Sequence, residues 1–178
     1  DALSYLRDRR LSDETIERFE LGYAPAEWGG LLKVAGRRGL TPQALERAGL
    51  ALQRQSGNGY YDRFRDRATF AINNLSNRTI GFGARVLKPD QEPKYLNSPE
   101  TAIYHKGQVL YGLSHTRDAI RRSDTVIVVE GYMDLLSLVQ AGIENVVATS
   151  GTALTEDHFR ELARFSLLIV LLFDGDAA

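Results

Sequence analysis

The stretches TVIVVEGYMD (residues 125–134) and LLIVLLFDGDAA (residues 167–178) decide the reading of this chain. Each is an unbroken apolar run that ends abruptly in acids: Glu130 after the first, Asp174 and Asp176 after the second. Runs of five to seven apolar residues without alternation fit strands buried on both faces. Between them lie a helical segment (132–141), a short apolar run VVAT (146–149) and a second helical segment from about 155 to 165, capped by Thr155. Residues 115–122 are also helical in character. Apolar strands alternating with helices predict a parallel sheet covered on both faces.

Ligands of such sheets bind at the carboxyl ends of the strands. Glu130, Asp174 and Asp176 fall at those ends, and Asp134 sits four residues after Glu130, near the start of the next helix. Clustered carboxylates repel one another, so either some take up protons or a cation offsets their charge. Mg²⁺ suits such a set best, with Mn²⁺ the other option, because it prefers oxygen ligands and keeps waters that phosphates can replace. A single acid of this kind more often caps a helix or solvates a loop. Acids at the ends of two buried strands favour the metal site.

Upstream the patterning differs. Residues 2–50 read as short helices: Ser12 caps one beginning at Asp13, with Ile16 and Phe19 on one face, and Thr41-Pro42 opens another that Gly49 ends. Gly36 to Gly39 is expected to connect helices. Ala68, Phe70 and Ile72, then Ile80, Phe82, Ala84 and Val86, alternate on either side of a turn at Asn73–Asn77. This predicts an antiparallel hairpin with one buried face. Gly81 and Gly83 inside its second strand predict a bulge, or a close approach by a ligand or another backbone. Lys88 to Pro99 reads as a loop.

The chain has 178 residues, 43% hydrophobic and 25% charged, with a formal net charge of −1. That balance argues against a protein that coats nucleic acid, yet the charge is unevenly spread. Arg54 to Lys106 holds nine Lys/Arg against five Asp/Glu, whereas Ser123 to Ala178 holds two against nine. A basic segment before an acidic one suggests a phosphate-binding surface beside a carboxylate metal site. The absence of cysteine excludes disulfides and thiolate zinc sites within the chain. A cytoplasmic setting fits, and no apolar run approaches the ~20 residues of a membrane span.

VVEGYMD (128–134) and LLFDGDAA (171–178) resemble the two acidic motifs of the toprim domain. SGTALTEDH (150–158) is similar to the segment between them in bacterial primases. YDRFRDR (61–67), IGFGARVL (80–87), PKYLNSPET (93–101) and YHKGQVLYGL (104–113) resemble, in order, the basic region of DnaG-type DNA primases. The resemblance covers nearly the whole chain. It implies an α/β protein in which an α+β N-terminal basic subdomain (1–114) precedes a truncated, Rossmann-like toprim sheet (115–178). It implies synthesis of short RNA primers on single-stranded DNA from ribonucleoside triphosphates. Glu130, Asp174 and Asp176 carry over as metal-binding, catalytic acids, with Asp134 supporting them. Arg63, Arg65, Arg85, Lys94 and Lys106 carry over as residues that hold template and nucleotide. Further toprim strands, a zinc-binding domain and the domain that meets the replicative helicase are expected outside the chain, so independent activity is not expected.

Tyr95, Tyr104 and Phe64 read as packing residues before stacking platforms, His105 as a possible phosphate contact on its position alone, and Trp28 and Met133 as packing residues. The competing readings are a toprim nuclease, sharing the acids, and a non-catalytic single-stranded DNA-binding module.

Overall fold

The computed structural model describes residues 2–88 and 91–175. Two short helices open the chain, α1 (Ala2–Asp8) and α2 (Asp13–Arg18), and the Ser12 hydroxyl accepts from the Thr15 N–H at 3.2 Å as the N-cap. Strand β1 (Gly22–Ala24) follows, then α3 (Gly30–Arg37) and α4 (Pro42–Arg47). Thr41 caps α4, and Gly49 stops it in the left-handed region at φ +71°. Gly36 and Arg37 belong to the last turn of α3, so the connection is shorter than the glycine spacing suggested.

Strands β2 (Ala51–Gln53) and β3 (Tyr60–Asp62) form a small antiparallel pair. The Asp62 carboxylate accepts from the Leu31 and Leu32 N–H groups at 2.7 and 3.0 Å, so the start of α3 is capped by a buried acid from another element. The predicted hairpin is β4 (Arg67–Asn73) and β5 (Thr79–Val86), joined by a turn in which Asn74 Oδ1 accepts from the N–H groups of Ser76 and Arg78. With β1 and β6 (Tyr95–Asn97) on its flanks it forms a four-stranded antiparallel sheet, ordered β1-β4-β5-β6. Neither flanking strand was legible. β1 lies in the stretch read as all helical, and β6 in the stretch read as loop. Three residues are too few to display a period.

The hairpin also differs from its predicted face pattern. Phe70 pairs with Gly83 and Ile72 with Gly81, so Ala68, Phe70, Ile72, Gly81, Gly83 and Arg85 share one face. Phe82 and Ala84 lie on the other, beside Thr69 and Ala71. Both faces are therefore covered. The extra residue of a register shift next to Ile72/Asn73 is Ile80, so the bulge falls beside the glycines and not at them. The close approach at the glycines is by a side chain: a Cβ at Gly83 would lie 2.2 Å from the Tyr132 ring, and one at Gly81 3.2 Å from Tyr104.

After a 3₁₀ turn at Lys106–Gln108 come α5 (Leu113–Ser123), β7 (Thr125–Val129), α6 (Tyr132–Gln140), β8 (Val146–Ala148), α7 (Glu156–Leu162) and β9 (Leu168–Leu171). The three strands are parallel in the order β8-β7-β9, as the apolar runs required. Cover on both faces holds for β7 and β8 only: β9 is an edge strand, with Leu168 and Leu171 more than half exposed.

One apolar core runs through both sheets. Tyr132 stands at its centre, stacked on Phe70 with ring centroids 4.6 Å apart and edge-on to Tyr111 at 4.7 Å. The N-terminal helices are tied to α6 by Gln140, which accepts from the Ser12 N–H and donates to the Arg10 carbonyl, each at 2.7 Å.

Because the ring of Tyr132 fills the space where a Gly83 side chain would go, Gly83→Ala is expected to destabilise the protein by about 2–3 kcal/mol through overpacking. Denaturant unfolding measures it, and an unchanged midpoint would contradict the packing. His158 is fully buried; its Nδ1 accepts from the Thr155 N–H and its Nε2 donates to the Lys106 carbonyl, a tautomer inferred from these partners. Burial lowers the pKa of His158 and, separately, of His115. The folded state therefore binds fewer protons than the unfolded chain, so stability is full above the unfolded value of about 6.5 and declines as pH falls below it. Unfolding midpoints at pH 7.5 and 5.5 check this, with a smaller difference expected in His158→Gln.

Candidate active site and nucleic-acid interface

β7 ends at Val129, so its register places Glu130 just beyond the carboxyl end of the sheet. The Leu172 N–H donates to the Val128 carbonyl at 2.9 Å, which carries the β9 pairing one residue further and brings Asp174 out at the same end. Glu130, Asp134 and Asp174 line one cavity of about 360 Å³, together with Ser137, Leu138 and Leu172. Asp134 is also the first-turn acid of α6, where its Oδ2 accepts from the Gly131 N–H at 3.0 Å. The capping role therefore holds for Asp134, and it still faces the cavity. Asp176 lies outside the described residues.

Among the described residues, no three acids or histidines converge closely enough to hold a metal ion. The donor chemistry nonetheless fits a hard divalent cation. The cavity's acids offer oxygen only, and no protein hydrogen bond or ion pair is formed by the Glu130 or Asp174 carboxylates among the described residues. A cation held in a cavity lined by carboxylates would offset their charge.

The basic residues do not form one cluster. Arg63 and Arg65 line a second cavity of about 480 Å³ with Arg67, Tyr61, Asp66 and Leu96. Arg85 is on the opposite face of the antiparallel sheet, because its partner across the ladder is Ala68 and not Arg67. There it lies over the Tyr95 ring, 5.0 Å from its centroid, and hydrogen-bonds the Tyr95 hydroxyl. Lys94 is exposed at the start of β6, and Lys106 lies in the 3₁₀ turn beside α7.

What these arginines share is the lack of an ion pair, although Asp66 and Glu92 line the second cavity and act on Arg67 from a distance. Arg63 gives Nε and Nη2 to the Asn97 carbonyl, Arg67 gives Nη1 to the Pro93 carbonyl at 2.7 Å, and Arg65 bonds the Asp62 carbonyl. Among the described residues none of Arg63, Arg65, Arg67 and Arg85 is within ion-pair distance of a carboxylate. Arg67 and Arg85 are buried, and Arg85 Nε has no partner. Desolvation pulls the pKa of Arg63 and Arg67 below the usual guanidinium value. Half-desolvated cations bonded only to neutral carbonyls keep charge unsatisfied, and a phosphate fits two such forks at once.

Three contributors escaped the sequence reading. Arg67 completes the every-second-residue arginine series of YDRFRDR, a signal that was present. Trp28, read as packing, is 58% exposed, with the Arg65 guanidinium 4.1 Å from its ring centroid and the Tyr61 ring 5.5 Å away. Nothing local distinguishes either aromatic in the sequence, since β3 and the segment before α3 meet only in the fold. Tyr104 and Phe64 are buried, as expected of packing residues, and burial pushes the Tyr104 phenol up to about 12. Met133 packs against the main core. His105 is exposed and paired with Glu100 at 2.9 Å.

The chain thus sets acids at the carboxyl end of a parallel sheet and arginines on and beside an antiparallel one. Residues 1–117 match the family described as DNA primase catalytic core, N-terminal domain, and residues 124–178 match the Toprim domain. The chain belongs to the DNA primase catalytic-core family. It is 50% identical to a DNA primase of Deinococcus radiodurans over 99% of its length and 48% identical to one of Synechococcus elongatus. It spans 31% and 26% of those relatives, about a third or less of their length. Among solved structures it is similar to a DnaG primase catalytic domain bound to ssDNA, with a TM-score of 0.89 at 44% identity, covering 98% of this chain and 56% of that one. The RNA polymerase domain of Mycobacterium tuberculosis primase DnaG gives a TM-score of 0.91 at 35% identity, with 98% and 59% covered.

If the three arginines of the second cavity take phosphates, Arg65→Ala is expected to weaken single-stranded DNA binding on every sequence. The slope of log K against log salt should become shallower by about 0.7. Fluorescence anisotropy at several salt concentrations measures it, and an unaltered slope would remove Arg65 from the interface.

Proposed function

We propose that this chain forms part of the catalytic core of a DNA primase. In that reading residues 1–114 hold template and nucleotide, and residues 115–178 supply acids for template-directed synthesis of RNA primers on single-stranded DNA. The observation that carries the proposal is double: buried or half-buried arginines without ion pairs on and beside one sheet, and carboxylates without partners on the other. Each set lacks the charge that a polyphosphate and its cation bring.

In the reaction, the 3′-hydroxyl of one ribonucleotide attacks the α-phosphate of the next, forming a phosphodiester and releasing pyrophosphate. A divalent cation, Mg²⁺ or Mn²⁺, held by Glu130 and Asp174 with Asp176 and with Asp134 in support, would offset the phosphates' negative charge. The work of the chain's own groups is positional. Arg63, Arg65 and Arg67 fix the template backbone without reading its sequence. Trp28 and Tyr61 offer ring faces beside them, on which a base can stack whatever its identity. In this reading Arg85, Lys94 and Lys106 are the remaining candidates for nucleotide phosphates. Binding of the replicative helicase belongs to segments beyond this chain, and the setting for the whole is the cytoplasm.

The test is incorporation of labelled ribonucleotides on single-stranded DNA by the intact enzyme, with Asp174→Asn as the control. Synthesis is expected to fall about 100-fold or more in the variant, with unfolding and DNA binding near wild type. Synthesis unaffected by the substitution would contradict the assignment. Metal-dependent nicking of the template without synthesis would make the protein a toprim nuclease.

A further inference from the structure

Arg63, in the segment between β3 and β4, and Glu130, just past the end of β7, are joined by a series of hydrogen bonds through Asn97. The Asn97 carbonyl accepts from Arg63 Nε and Nη2 at 3.3 and 2.9 Å. Its side-chain Oδ1 accepts from the Tyr132 hydroxyl at 2.8 Å, and its Nδ2 donates to the Ser150 carbonyl at 2.8 Å. The Ser150 N–H donates in turn to the Glu130 carbonyl at 2.8 Å. Asn97 stands opposite Gly83 in the ladder, so the notch left by that glycine admits the Tyr132 ring and delivers its hydroxyl to the amide.

Each amide atom faces a group of the right polarity, which fixes which end of the side chain is oxygen. Burial raises the Tyr132 pKa far above its ordinary value, so its hydroxyl stays a donor. Ser150 holds a left-handed backbone at φ 56°, a conformation disfavoured for a side-chain-bearing residue. Its carbonyl bond to Asn97 and its amide bond to Glu130 fix that strained corner. Both polar ends of the Asn97 side chain are thus committed within the protein.

We propose that Asn97 is a positioning residue for nucleotidyl transfer: it locks the Glu130 end of β7 to the arginine-bearing sheet. A template held by Arg63, Arg65 and Arg67 then meets the acids at a fixed separation. This rests on the primase reading. The two hydrogen bonds of the Asn97 side chain add directional constraints to the packing that sets that separation. An error of about 1 Å at reacting atoms costs on the order of 100-fold in rate.

The experiment uses the intact primase with Asn97→Ala, Asn97→Asp and Tyr132→Phe. Tyr132→Phe keeps the ring in its notch and removes only the hydroxyl. Asn97→Asp keeps the acceptor for Tyr132 but turns an oxygen toward the Ser150 carbonyl. Three readouts are taken: kcat and KM for ribonucleotide incorporation, affinity for a single-stranded oligonucleotide, and amide hydrogen exchange. Each substitution is expected to lower kcat about tenfold, roughly the effect of one net hydrogen bond. KM and DNA affinity should stay within about twofold. Ser150 amide exchange should rise about tenfold in Asn97→Ala and Asn97→Asp, with the β4 and β5 amides unchanged. The Asn97→Ala/Tyr132→Phe double variant should lose no more kcat than Asn97→Ala alone, because Asn97→Ala already removes the bond that Tyr132→Phe removes.

A raised KM with normal kcat, and no effect of Tyr132→Phe, would make Asn97 a direct substrate contact and overturn the proposal. Ser150 exchange unaltered in Asn97→Ala would overturn it too. If the wild-type enzyme makes no RNA on single-stranded DNA, the primase reading fails, while the exchange measurement still decides whether Asn97 holds the Glu130 corner.

Discussion

The seating of the Tyr132 ring over Gly83 is the joint on which the rest of the structure depends. The ring occupies the volume of an absent side chain, stacks on Phe70 from the neighbouring strand and meets Tyr111 edge-on. Aromatic contacts of this kind add to the area they bury. Tyr132 follows Glu130 by two residues, so whatever fixes the ring also fixes where β7 delivers its acid. A larger residue at position 83 would push apart the two sheets and, with them, the two charge systems.

Those charge systems are left incomplete by the protein itself. Burying a guanidinium against neutral carbonyls forgoes the ion pair that usually accompanies such burial. Elsewhere the same chain pairs its charges freely, as Arg160 does with Glu156 and Asp157 on α7 and Arg18 with Glu144. Surface charges elsewhere on the chain also go unpaired, but among the described residues Arg67 and Arg85 are buried without an ion pair, and both lie on the antiparallel sheet. Local stability has been forgone at the places where a polyanion and a cation would restore it, a conflict expected of a functional site.

Legibility in the sequence followed length and burial. The β7–α6–β8–α7–β9 order could be read because buried parallel strands are continuous apolar runs and helices between them carry caps. Glu130, Asp134 and Asp174 could be placed with them, since strand ends need no tertiary information. The antiparallel half was read less well. β1, β2, β3 and β6 have three residues each, too few to show a period, and β1 exists only through pairing with β4 more than forty residues later. The hairpin was found but not its faces: the register sets glycines opposite Phe70 and Ile72, so the apolar residues of its two strands point opposite ways. That same register sets Arg85 on the face opposite Arg67. Trp28 gave no sign of exposure, because its neighbours Arg65 and Tyr61 arrive from a strand more than thirty residues later.

The central claim is that one nucleic-acid strand, held at the arginine face, runs past a cation held by the acids. Fe²⁺ bound in place of the divalent cation in the intact enzyme, with hydrogen peroxide and ascorbate added, is oxidised to Fe³⁺ as the peroxide O–O bond splits into hydroxide and a hydroxyl radical that cuts nearby DNA. With an end-labelled single-stranded template, cleavage is predicted over a few adjacent nucleotides, at a position fixed relative to the bound segment, and is predicted to vanish in Asp174→Asn. Cleavage spread evenly along the template, or a focused pattern that survives Asp174→Asn, would contradict the account.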